Sequence, residues 1–124
     1  MIADTLLLNS VNANILFDSG AIKSFISRDI AYKLNQKAKP LKYSLQVEIA
    51  NQEVVLVDQV HPDCKLEIGN RHYHVDLISF KLGEFDVILR MDWLSSNGAQ
   101  INCKGKKVIL KVPEGKEVIF KGKR

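Results

Sequence analysis

Asp18-Ser19-Gly20-Ala21 follows directly on the apolar run Ile15-Leu16-Phe17. A carboxylate at the end of a buried strand costs free energy unless a partner or a reaction uses its charge. Acid–base work on a bound molecule is the chemistry such a group could do. Ser19 supplies a hydroxyl that can hold a neighbouring backbone. Gly20 has no Cβ, so the chain can turn there and approach another backbone closely. Taken alone, Asp-Ser-Gly is more often an ordinary turn after a strand.

Other reactive groupings are weaker. His72 and His74 sit two apart on one expected strand face, with His61, Cys64 and Asp76 nearby in sequence. Zinc would use such residues, but the spacing matches no structural zinc pattern, so no metal is expected. Partly exposed strand histidines are the expectation. Asp86 and Asp92 could suggest a second carboxylate pair. Asp86 begins an expected strand, and Asp92 lies near a helix start, where negative charge is favoured. Both are read as structural, and Trp93 as a core anchor.

The elements that must position these groups are short and mostly extended. Thr5–Leu8 and Ala13–Phe17 flank a loop at Asn9–Asn12, the pattern of a hairpin. Leu45, Val47 and Ile49 alternate with polar residues, Asn51-Gln52 interrupts, and Val54–Val57 resumes, giving a second hairpin with a polar tip. Cys64–Ile68, a Gly69-Asn70 turn and Tyr73–Ile78 give a third. Phe85–Leu89 reads as a buried strand. Ile101, Val108–Leu110 and Val118–Phe120 give three late strands, with turns at Lys104-Gly105 and Pro113-Glu114-Gly115. Two short helices are expected. One is capped by Ser27, runs through Leu34 and stops at a left-handed Asn35; the other spans Met91–Asn97 and stops at Gly98.

A length of 124 residues suits one domain, 1–124, and 46% hydrophobic residues suffice for a packed core. Two distant cysteines, Cys64 and Cys103, are too few for a disulfide scaffold and read as reduced thiols of an intracellular, cytoplasmic protein. No apolar run approaches a membrane span, and no signal peptide is expected. The two ends are expected to be cuts from something longer. The net charge is +4, with lysines concentrated from Lys104 onward. That stretch reads as a solvated edge. Nucleic acid is an unfavoured partner, because Phe120 is the only aromatic residue among these lysines.

Three blocks together resemble the protease family of gypsy-type retrotransposons, which is retropepsin-like. They are Ile15–Ala21 with Ser24-Phe25-Ile26-Ser27, Phe85–Leu89 with Met91-Asp92-Trp93-Leu94, and Ile101-Asn102-Cys103. Their order and spacing match over nearly the whole chain, and the middle block is the most specific. The resemblance implies a mostly β, closed-barrel acid-protease fold with one or two short helices. It implies Asp18 as catalytic residue, with Ser19, Gly20 and Ala21 forming the supporting loop and Ser19 bonding across a dimer axis. One motif per chain implies a homodimer, with two Asp18 carboxylates sharing one proton. The implied substrate is a peptide, the parent polyprotein, and no cofactor is needed. A virus-like particle of the retrotransposon is a further implied setting. The hairpin Leu45–Val57 resembles the substrate-covering flap, with Ile49, Ala50, Asn51 and Gln52 at its tip. The family often has Asn-Gly where this chain has Asn51-Gln52.

One departure matters more. The family has glycine after Leu89, beside the catalytic loop, and this chain has Arg90. The guanidinium either points at Asp18 and neutralises it, or a shifted loop sends it to solvent. Ile22 and Lys23 also replace the family's usual small or polar residues. An active homodimeric endopeptidase is therefore set beside a catalytically impaired or inactive remnant of the same fold that acts as a binding or structural domain. A basic, nucleic-acid-binding β-domain is the weakest alternative.

Overall fold

A computed structural model of the chain describes residues 2–48, 53–111 and 117–122. The chain begins with a hairpin of β1 (Ile2–Leu8) and β2 (Val11–Phe17). Its loop is tighter than the sequence suggests. Only Asn9 and Ser10 lie outside the strands, both with positive φ, 47° and 67°, the backbone of a two-residue hairpin turn. Next come β3 (Phe25–Ser27), α1 (Arg28–Ala31) and a 3₁₀ turn at Tyr32–Leu34. Ser27 Oγ accepts from Asp29 N at 3.3 Å, and Asn35 ends the turn in the left-handed conformation, as its position before a polar stretch predicts.

β4 (Lys39–Glu48) pairs with β5 (Val54–Ile68), which runs fifteen residues without interruption. Sequence alternation suggests two strands here. The structure joins them through a bulge between His61 and Cys64, where Asp63 has a positive φ of 52°. β6 (Arg71–Phe80), β7 (Val87–Leu89) and α2 (Met91–Ser96) follow. The late strands are β8 (Gln100–Asn102), β9 (Lys107–Lys111) and β10 (Glu117–Lys121). The expected turn at Pro113-Glu114-Gly115 lies outside the described residues.

Six strands close a barrel in the order β1-β2-β7-β3-β6-β5, the last step being Leu7↔Glu67 and Leu8↔Leu66. β4 continues the sheet beyond β5. The separate sheet β10-β9-β8 turns Val108 and Leu110 into the same core as Ile15, Leu66, Leu77, Val87 and Leu89. Lys104, Lys106, Lys111 and Lys121 remain exposed.

Trp93 is 2% exposed and anchors α2 as expected, its ring 6.1 Å from Phe17 and 5.8 Å, edge-on, from Tyr73. Trp93→Ala should cost about 3–5 kcal/mol of stability, the range for emptying an aromatic core site. Denaturant unfolding followed by far-ultraviolet circular dichroism measures this. A loss below about 1 kcal/mol would show that α2 is not held through Trp93.

Candidate active site

β2 and β7 lie parallel and in register, Ile15↔Val87, Leu16↔Ile88 and Phe17↔Leu89. Two parallel strands that end level deliver their next residues side by side. Those residues are Asp18 and Arg90, and Asp18 N donates to Leu89 O at 2.9 Å. The Asp18 carboxylate is then held from two directions. Gly20 N donates to Oδ1 at 2.9 Å, closing the tight Asp-Ser-Gly turn. A Cβ on Gly20 would lie 3.1 Å from the same oxygen, so a side chain there would press on the carboxylate. Arg90 Nε donates to Oδ2 at 3.3 Å.

Of the two courses open to the guanidinium, the structure takes the one towards Asp18. The Arg90 backbone is extended, φ −123° and ψ −164°, which any residue adopts, so a glycine here would serve space and not backbone freedom. Arg90 Cζ lies 5.3 Å from the Phe25 ring centroid, and Nη1 reaches Lys23 O at 3.5 Å. The Arg90 and Asp18 side chains are 23% and 37% exposed, so solvent screens the pair and it adds little to stability.

A network that sequence reasoning missed holds this loop. Ser24 is fully buried; its Oγ donates to Asp92 Oδ1 at 2.5 Å and accepts from Arg90 N at 2.9 Å. Ser24 N donates to Asp92 Oδ2 at 3.1 Å, and Trp93 N to Asp92 Oδ1 at 2.7 Å. Met91 N and Asp92 N bond Ala21 O and Ile22 O, so residues 18–24 lie along the start of α2. Asp92 is thus structural, through a loop staple as well as its place at a helix start. Only the Ser24 hydroxyl before the buried Phe25-Ile26 could have signalled the partner. Asp86 is structural too: its Oδ2 accepts from Asn14 N at 2.8 Å and its carbonyl from Ser27 N at 2.7 Å, tying β2 to β3.

Leu45, Val47, Val55 and Val57, on the inner face of the β4–β5 hairpin, join a second apolar cluster with Phe25 and Ile78. Leu89 is buried beneath the site, while Ser19 and Gly20 are exposed and Ala21 half-buried. Asp18 and Ser19 rim an apolar cleft with Ile2, Leu16, Ile101 and Cys103. The proposed flap tip, Ile49, Ala50, Asn51 and Gln52, lies outside the described residues.

The histidines divide. His72 and His74 are exposed on one strand face, beside Glu67 and Asp63 at 4.0 and 2.8 Å. His61 is instead 6% exposed, because the bulge turns it inward, and burial lowers its pKa. Both thiols are free. Burial, with the nearby Asp76 and Asp63 carboxylates, pushes Cys64 up to about 12, so it is an inert core thiol. Among the described residues no group of three or more His, Cys, Asp or Glu could hold a metal ion.

A closed barrel with an Asp-Ser-Gly loop at the end of one of two parallel strands defines a retropepsin-like acid-protease fold. The chain belongs to the retroviral aspartyl protease family, whose model matches residues 1–116. Two solved structures share the fold. The retroviral protease-like domain of Ddi1 from Leishmania major has a TM-score of 0.68 at 13% identity, over 89% of this chain and 87% of that one. EIAV protease complexed with the inhibitor HBY-793 has a TM-score of 0.61 at 19% identity, over 81% and 90%. No curated protein sequence matches the chain.

Proposed function

We propose that the chain is one protomer of a homodimeric aspartic endopeptidase that cuts its parent polyprotein, of retrotransposon type, inside the cell. The observation that carries this is the Asp18 carboxylate. Gly20 N of its own loop holds it and β7 holds the Asp18 backbone, yet part of it stays open to solvent beside an apolar cleft. One chain presents one such loop, so the second carboxylate must come from a second copy. The apolar cleft rimmed by Asp18 and Ser19 is the surface that copy would cover.

In the dimer the two carboxylates share one proton. The ionised one takes a proton from a bound water as it attacks the scissile carbonyl. The protonated one donates to the carbonyl oxygen, and the leaving nitrogen is protonated from the pair. Ser19 holds the two loops together, and the β4–β5 hairpin closes over the extended peptide. No cofactor takes part.

The contact between Arg90 and Asp18 favours a second reading, a catalytically impaired domain of the same fold that binds peptides. Cleavage of a peptide mixture at mildly acidic pH separates the two. Under the first reading the specific activity rises with protein concentration as sedimentation shows the dimer forming, and a transition-state-type aspartic protease inhibitor blocks it. Absence of cleavage by concentrated wild type and by Arg90→Gly would overturn the peptidase reading. Sedimentation showing only monomer at high concentration would overturn the dimer.

A further inference from the structure

Arg90 stands between two parts of the site. Its Nε touches Asp18, and its Cζ lies 5.3 Å from the Phe25 ring centroid. Phe25 belongs to the cluster on which Leu45, Val47, Val55 and Val57 of the β4–β5 hairpin pack. The guanidinium therefore touches both the carboxylate and the ring on whose cluster the hairpin packs. If the hairpin closes over substrate, as the peptidase reading holds, an extended peptide crosses this space.

A guanidinium carries five N–H donors in a fixed fork. Arg90 commits them sparsely. Nε makes one bond of 3.3 Å to Asp18, and Nη1 makes one of 3.5 Å to Lys23 O. Among the described residues nothing accepts from Nη2. Two long, single contacts are a poor use of a group that can give a carboxylate two short parallel bonds. Asp18 does not make that fork: its Oδ2 alone accepts from Arg90, while its Oδ1 accepts from Gly20 N. Asp92 does not compete, since both its oxygens accept from Ser24 and one also from Trp93 N. The exposed Lys23 adds a second positive charge beside the same loop.

We infer that Arg90 is a specificity-determining residue that takes an acidic side chain of the substrate, drawing the guanidinium off Asp18 as it binds. This deepens the peptidase reading and rests on it. An extended peptide advances about 3.3 Å per residue, so a carboxylate that reaches a guanidinium touching Asp18 belongs to a residue within about two of the scissile bond. The contact with Asp18 is screened and single, whereas a contact with substrate forms under a closed hairpin, with less water and in fork geometry. The second contact wins. A neutral peptide offers no such exchange and meets a carboxylate still occupied by Arg90. The contact that restrains the protein thereby selects its substrates.

The test compares matched peptides with Glu or Gln within two residues of the cleaved bond, using wild type, Arg90→Gly and Arg90→Lys. Wild type should favour Glu at least about tenfold in kcat/KM, a charge-assisted fork being worth at least that factor. Arg90→Gly should lose the preference chiefly by cleaving the Gln peptide faster, and Arg90→Lys should keep part of it. A ratio near one in wild type, or an undiminished ratio in Arg90→Gly, overturns the inference. If no protein cleaves either peptide, the peptidase reading has failed, and uncleavable reduced-amide analogues decide the inference alone. Tighter binding of the Glu analogue to wild type but not to Arg90→Gly supports it. Equal binding overturns it.

Discussion

Asp18→Asn should lower peptide cleavage by on the order of a thousandfold or more, since general acid–base contributions run from about a hundredfold to ten-thousandfold. In a homodimer the substitution removes both carboxylates at once. An amide neither takes a proton from water at the assay pH nor shares one with its twin. The fold should survive. Asn is nearly isosteric, and its Oδ1 can still accept from Gly20 N, the 2.9 Å bond that shapes the loop. The lost ion pair with Arg90 is partly exposed and screened, so its removal costs less than about 1 kcal/mol. Cleavage rate and thermal melting, measured on the same preparation, check both halves. Persistent cleavage by a folded Asp18→Asn would assign catalysis to another residue or to a contaminant.

Arg90→Gly should raise cleavage of neutral peptides at least about tenfold, within the range of acid–base contributions that the arginine holds back. Arg90 Nε occupies Asp18 Oδ2, an oxygen that the proposed reaction would use for water or for a second carboxylate. Glycine fits the site. The φ of −123° and ψ of −164° suit it, and the bond from the backbone N–H of residue 90 to Ser24 Oγ needs no side chain. Loss of the contact over Phe25 and the extra freedom of glycine should cost about 1–2 kcal/mol together. The variant should therefore be more active and slightly less stable. Arg90→Lys should gain little, because it keeps the charge and most of the bulk. Equal activity of wild type and Arg90→Gly would show that the guanidinium leaves Asp18 at no cost when substrate binds.

Local chemistry was legible without the fold. Ser27, Asn35 and Gly98 mark helix ends because capping and left-handed stops depend on neighbours a few residues away. The hairpins and the loop at Asp18 follow equally from short-range alternation and turn residues, and the buried strand before Met91 from the continuous apolar run Phe85–Leu89, of which the structure makes Val87–Leu89 strand. The family resemblance added the closed barrel, because its motifs carry a topology that periodicity alone does not.

What only the tertiary structure decided involves groups far apart in the chain. His61 reads as one more strand histidine, yet the bulge at residues 61–64 buries it, and a bulge has no alternation of its own to announce it. Ser24 and Asp92, 68 residues apart, meet because β3 and the start of α2 flank the same loop. The direction taken by Arg90 belongs here too. Its sequence offers only a charge and a length. The level ends of parallel β2 and β7 place it beside Asp18, with its guanidinium 5.3 Å from the Phe25 ring centroid and in reach of the carboxylate. A flexible side chain goes where its neighbours leave room and charge, and those neighbours are assembled only when the barrel closes.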